Sequence, residues 1–324
     1  MKKMIAGKML SLAVLLAATL TQAAHAGPAA VVQTWTFDQA GRWDYLDIDP
    51  VRHHLFLTRG DRLEVLDLPS GKKSGQIGGL LAAHGVAFAQ KLGLGFVSSG
   101  GSNSVIVFDL ATLKTTQEVK VSGVNPDAIL YEDGSAKLYT FNGKSANVSV
   151  FDAASMALKA TIAVRGKPEF AVSDGKRVYV NIEDKAEIDV IDIATDRLVA
   201  QWPMAGCEEP TGLAIDAAHA RLFSVCQNNV MAVTDARDGR AVARSAIGAH
   251  SDAALYDAAS ATVFSSNGDG TLSIIRQLDA DHYAPAVTLH TAKGARTMAM
   301  DHANGRIFLP TVVEQQFAVF VVAP

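Results

Sequence analysis

The chain has 324 residues, 29 basic against 33 acidic, and a formal net charge of −4. An acidic balance lacks the electrostatic footprint that phosphate neutralisation needs, which disfavours nucleic acid as a partner. Two cysteines are too few for a disulfide scaffold, and their spacing fits neither a four-ligand zinc site nor the C-x-x-C-H attachment of a c-type haem.

In chain order, Lys2, Lys3 and Lys8 come first, around an apolar run from Met9 to Leu20 that ends in Ala24-His25-Ala26. A charged n-region, an h-region too short to span a bilayer and an A-x-A site predict a signal peptide over residues 1–26. The expectation is a periplasmic or secreted monomer whose mature part, 27–324, forms one domain. No later apolar run is long enough to cross a membrane, and no cysteine near the cleavage point offers a lipid anchor.

The segment "VVQTWTF" (Val31 to Phe37) resembles "LVAQWPM" (Leu198 to Met204), with Trp35 matching Trp202. Beyond it the chain repeats itself. Aspartates that close an apolar strand recur at Asp67, Asp109, Asp152, Asp192 and Asp235, spaced by 42, 43, 40 and 43 residues. A second phrase, "YLDID", "LAIDAAHARLFSV", "ALYDAASATVFSS" and "MAMDHANGRIFLP", marks the same period through Asp49, Asp216, Asp257 and Asp301. Each unit reads as four short β-strands with no sustained helical periodicity. Four-stranded units at this period are the sequence signature of propeller blades, and the mature length accommodates seven.

The predicted fold is therefore all-β: a seven-bladed propeller of four-stranded antiparallel blades. The C-terminal unit supplies three strands, so the N-terminal strand is expected to complete the last blade and remove an open edge. The recurring aspartate is expected to be structural, accepting a backbone N–H two residues on and fixing a hairpin turn.

The stretch "RVYVNIEDKAEIDVIDIATDRLVAQWPM" (Arg177 to Met204) resembles the repeat of the YVTN family of β-propellers, with Val178-Tyr179-Val180-Asn181 standing where that family has Tyr-Val-Thr-Asn. The mature chain is similar to YncE-like exported bacterial proteins. The resemblance is strongest in units two to five, while unit six has "SIIRQ" and unit seven "AVFVV" where the aspartate would stand. It implies a seven-bladed exported propeller and no particular reaction, since the motif is one of packing.

Aligning the units on their first strands places Trp43, His84, Pro126, Pro168, Pro210, Ser251 and Ala295 at one ring position. The next holds Asp44, Gly85, Asp127, Glu169, Thr211, Asp252 and Arg296. The position before holds Arg42, Ala83, Asn125, Lys167, Glu209, His250 and Gly294. Arg42, Asp44, His84, Asp127, Glu169, Glu209, His250, Asp252 and Arg296 are thus candidates for a ligand site at the channel mouth. Asp44, Asp127, Glu169 and Asp252 are candidate oxygen ligands for a divalent cation. The expected function is a binding or interaction scaffold for a small molecule, metal or protein segment. The alternative is a metal-assisted lyase or lactonase in which His84 or His250 moves a proton. Cys207 and Cys226 are expected to pair as a disulfide in an oxidising compartment.

Overall fold

A computed structural model describes residues 1, 29–37 and 40–323, so the leader over 2–26 lies outside the described residues. Among the described residues no helix is long and apolar enough to cross a membrane. The regular structure among the described residues consists of strands and three single 3-10 turns. The first strands are β1 (Ala30–Phe37), β2 (Leu46–Asp49), β3 (His54–Thr58), β4 (Gly60–Asp67), β5 (Lys73–Ala89), β6 (Leu94–Ser99), β7 (Ser104–Asp109) and β8 (Thr115–Lys120). Four-stranded antiparallel units follow over 126–163, 168–203, 210–246 and 251–290. The strands Ala299–Asp301, Arg306–Val313 and Gln316–Ala323 take β1 as their fourth, with Trp35 opposite Val319 and Phe37 opposite Phe317.

Among the described residues six hydrogen-bonded sheets form, where seven separate ones were expected: five have four strands, and one runs β2 to β8. The cause is β5, which serves first as the outer strand of one unit, pairing Arg62 to Leu66 with its N-terminal half. It then serves as the inner strand of the next, pairing with β6 from Ala83 onward. Between the two halves lies an irregularity around 79–82, where Gly79 and Ala82 take positive φ. Elsewhere a loop containing a proline or a glycine separates these two roles.

Packing follows a strict register. In every unit the second strand carries an aromatic residue at one position: Phe56, Phe96, Tyr139, Tyr179, Phe223, Phe264 and Phe308, each at most 2% exposed. Truncating such a side chain to alanine costs about 3–5 kcal/mol. The second and third strands of the units are near-continuous buried runs, as in Arg221–Cys226 and Ser104–Asp109, because both faces are covered by neighbouring sheets. Outer strands are polar and exposed, as in Thr115–Lys120, which guards their free edges. The first and last sheets meet through one cluster joining Leu46, Ile48, Leu55 and Leu57 to Phe308, Phe317, Val319 and Val321.

The repeating aspartates do fix turns, with a reach longer than the expected two residues. Asp152 Oδ1 accepts from Ser155 N at 2.9 Å and Ser155 Oγ at 2.7 Å. Asp192 does the same with Thr195, Asp109 with Thr112 and Asp67 with Ser70. The motif is therefore Asp-x-x-Ser/Thr, and the hydroxyl beside each carboxylate holds its pKa below the ordinary range. Asp109 and Asp235 also make the expected two-residue bond, accepting from Ala111 N at 3.1 Å and Arg237 N at 3.0 Å. The next residue of each turn adopts positive φ: Gly71, Leu113, Met156, Asp196 and Gly239.

Cys207 and Cys226 form a disulfide, with Cα atoms 5.5 Å apart. Cys207 precedes the strand Pro210–Asp216, and Cys226 ends Arg221–Cys226, which pairs with it.

Candidate functional site

The loops entering the inner strands are pinned by buried polar side chains from the preceding unit. Thr58 Oγ1 donates to the carbonyl of His84 at 3.0 Å, and Ser98 Oγ to that of Asp127 at 2.6 Å. Asn181 Nδ2 donates to Thr211 O at 2.9 Å, and Ser266 Oγ to Arg296 O. Across the meeting of first and last sheets, Thr297 Oγ1 donates to Asp44 O at 3.0 Å. The asparagine of Val178-Tyr179-Val180-Asn181 thus holds the neighbouring inner strand. These bonds position the backbone under the charged residues at this face.

A cavity of about 280 Å³ is lined by Asp44, Tyr45, His84, Asp127, Glu169, Glu183, Thr211, Gln227, His250, Asp252 and Arg296. Of the residues singled out from the sequence it gathers Asp44, His84, Asp127, Glu169, His250, Asp252 and Arg296. Arg42 lines an adjoining cleft with Arg59, Arg62 and Arg296. Glu209 is exposed, with φ of 47°, and lies outside the lining. Tyr45, Glu183 and Gln227 were not anticipated. Glu183 and Gln227 sit where second strands turn into third strands, in loops that reach the same face.

His84 Nδ1 lies 2.6 Å from Asp44 Oδ2 and 3.5 Å from Asp127 Oδ1. Its other edge, Nε2, lies against Gly100, where a Cβ would stand 2.8 Å away. The ring therefore presents Nδ1 to the two carboxylates. Burial disfavours the imidazolium, but the Asp44 hydrogen bond and the Asp127 charge outweigh it and raise the His84 pKa. One ligand atom from each of Asp44, His84 and Asp127 falls within 4.8 Å of the others. Two donors on one ion cannot be farther apart than twice the bond length, about 4.6–5.2 Å at Ca²⁺ distances.

The remaining carboxylates are held in different ways. Burial lifts Asp127 to about 6, offset in part by His84 and reinforced by Asp44. Burial and then the Asp127 charge push Glu169 to about 9. Lys167 Nζ lies 2.9 Å from Glu169 Oε2 and, by charge and hydrogen bond, opposes that rise. The same ammonium pairs with Glu183. Asp252 is lifted to about 6 by burial against the opposing pull of Arg296, whose Nε is 2.6 Å away. Tyr45 donates its hydroxyl to Asp252 O at 3.2 Å and forms part of the floor.

This donor set is mixed: carboxylate oxygens with one imidazole nitrogen. It fits a divalent first-row ion such as Zn²⁺ or Mn²⁺ more closely than the all-oxygen set expected from sequence, because imidazole is a poor ligand for Ca²⁺. With no ion on Nδ1, Asp44 and His84 instead form an oriented carboxylate–imidazole pair.

No family model matches the chain, and no curated protein sequence does. Among solved structures it is similar to a chain of Kuenenia stuttgartiensis hydrazine synthase, with a TM-score of 0.77 and 15% identity over 90% of this chain and 97% of that one. At that identity the likeness is one of fold, and it agrees with the propeller-like blades.

Proposed function

We propose that the protein is an exported, closed seven-bladed propeller of the YVTN-repeat kind that binds a divalent cation at its acidic mouth through Asp44, His84 Nδ1 and Asp127. The observation that carries this reading is the convergence of those three ligand atoms within 4.8 Å of one another. Glu169, paired with Lys167, lines the same cavity and offers a further carboxylate beside the three. The seven aromatic register positions and the packing of the first sheet on the last support ring closure. The disulfide is compatible with an oxidising compartment. With the ion in place, the rim would hold an anionic or carbonyl-bearing ligand on the metal, with Arg296 beside it.

Metal analysis of the purified protein, followed by calorimetric titration of chelator-stripped material with Zn²⁺, Mn²⁺ and Ca²⁺, tests the reading. Binding of one first-row ion, lost in Asp127→Asn and His84→Ala, is expected. No binding by the folded parent would end it.

A second reading, a metal-assisted lyase or lactonase, is favoured by the 2.6 Å contact of His84 with Asp44, since an imidazole oriented by a carboxylate suits proton transfer. In that case His84 would move a proton rather than bind the ion, and His84→Ala would retain metal.

A further inference from the structure

A larger cavity, about 660 Å³, runs behind the acidic mouth and is lined by the inner strands of all units, from Tyr45 at one end to His53 and His302 at the other. Strand pairing defines equivalent positions along it. Opposite the aromatics that recur at one register position, Phe96, Tyr139, Tyr179, Phe223, Phe264 and Phe308, stand Ala87, Leu130, Val172, Ala214, Leu255 and Ala299. The seventh member of the set, opposite Phe56, is Asp47. Six units thus place an aliphatic side chain at this level of the cavity, and one places a carboxylate.

Asp47 has no part in holding the fold together. Its Oδ1 accepts only from the neighbouring Ile48 N, at 2.7 Å. Among the described residues it has no ion-pair partner, whereas at the mouth Asp44 and Asp127 share His84, Glu169 and Glu183 share Lys167, and Asp252 pairs with Arg296. Asp47 is exposed to the cavity while its strand neighbours Leu46 and Ile48 are buried; the protein walls around it, opposed by the Ile48 N–H and reinforced by Asp49, lift its pKa to about 7.

We propose that this cavity binds a small organic cation, an amine with an apolar body, whose charged head is held by Asp47. The volume is that of ordinary small-molecule sites, which combine apolar walls with a few placed polar groups. The rings of Tyr45 and Phe170, packed with centroids 5.0 Å apart, line the same cavity, and aromatic rings suit an ammonium group. The aliphatic residues at the level of Asp47 take the apolar body. An inorganic cation is better served by the mouth, where three ligand atoms converge, whereas Asp47 offers one carboxylate among hydrocarbon.

Calorimetry with phenethylamine and its neutral counterpart phenethyl alcohol tests the proposal, at mildly alkaline pH where the amine keeps its proton and Asp47 has lost its own. The wild-type protein should bind the amine about tenfold or more tightly than the alcohol, the difference expected for a charge-assisted hydrogen bond. Asp47→Asn should abolish that preference while alcohol binding is unchanged. Leu130→Trp should weaken both ligands by filling the cavity, and Asp127→Asn should affect neither, which separates this site from the mouth. Equal amine affinity in wild type and Asp47→Asn, absence of amine binding by the folded wild type, or loss of amine binding in Asp127→Asn would each overturn it. Should Asp47→Asn fail to fold, the Leu130→Trp and Asp127→Asn comparison still decides where the amine sits.

Discussion

His84 Nδ1 stands 2.6 Å from Asp44 Oδ2, the same nitrogen that a cation shared with Asp127 would need. Proton and metal therefore compete for one atom. Because the two carboxylates raise the His84 pKa above its ordinary 6.5, the proton is held to higher pH than in a free histidine. Metal affinity should fall about tenfold for each pH unit below that raised pKa, and binding should release protons. Titrations in buffers of different ionisation enthalpy measure the release. Affinity independent of pH through this range would remove His84 from the ligand set.

The metal-free protein should be more stable in mild acid than in mild alkali. An unfolded aspartate gives up its proton near 3.8, while Asp127 and Asp252 keep theirs to about 6 and Glu169, ordinarily near 4.5, to about 9. Between those values the native state binds more protons than the unfolded one, so stability falls as pH rises. The His84 contribution has the same sign: it is fully present below 6.5 and is lost as pH rises through the elevated pKa. Thermal melts from about pH 5 to about pH 9 should show a decreasing midpoint, with a shallower slope in Asp127→Asn and a reversal when metal is added. A midpoint that climbs across this range without metal would contradict the assignment.

Trp35 lies over Gly71 as Trp202 lies over Gly239. A Cβ on either glycine would stand 2.2 Å from the indole, and both glycines have positive φ, +67° and +79°. Gly71→Ala and Gly239→Ala should each destabilise by about 2–4 kcal/mol, combining backbone strain with overpacking. Gly175→Ala, also at positive φ (+84°) but with open space around it, should cost only the strain, about 1 kcal/mol. Chemical denaturation midpoints distinguish the cases, and equal losses at all three positions would mean the indole contacts contribute nothing.

The Trp35–Trp202 match was legible in the sequence because both residues meet the same demand, covering a turn glycine in the unit that follows. The turn aspartates were legible for a similar reason, although the serine or threonine three residues on, which supplies both N–H and hydroxyl, is what completes each turn. The fusion of two units through β5 was not. "KSGQIGGLLAAHGVAFA" has no proline to interrupt its ladder, and only strand pairing shows the irregularity at 79–82. The mouth was readable where residues begin inner strands, as for Asp44, Asp127, Glu169 and Asp252. Glu183 and Gln227 reach it from separate loops that the alignment of inner strands did not include. Asp47 stayed hidden because "YLDID" aligns on its final aspartate, and the exceptional character of the first one emerges only from its partner, Phe56.

The disulfide joins two segments that other bonds already hold together. Pro210 pairs with Cys226, Gln227 N donates to Glu208 O at 2.8 Å, and Glu208 N donates to Asn228 Oδ1 at 3.2 Å. The covalent link closes a separation of 19 residues, for which chain entropy allows about 3 kcal/mol. The local hydrogen bonds reduce the freedom that the link can remove, so the double variant Cys207→Ala/Cys226→Ala should fold and lose less than that amount. Gln227, next to Cys226, lines the mouth and donates Nε2 to Ser251 O at 2.8 Å, a bond the disulfide does not make. Metal affinity in the double variant should therefore stay within about threefold of the parent, while the melting midpoint falls and reduction no longer alters it. A variant with parental stability would show that the hydrogen bonds alone fix this corner, and a large loss of metal affinity would show that the link orders the rim itself.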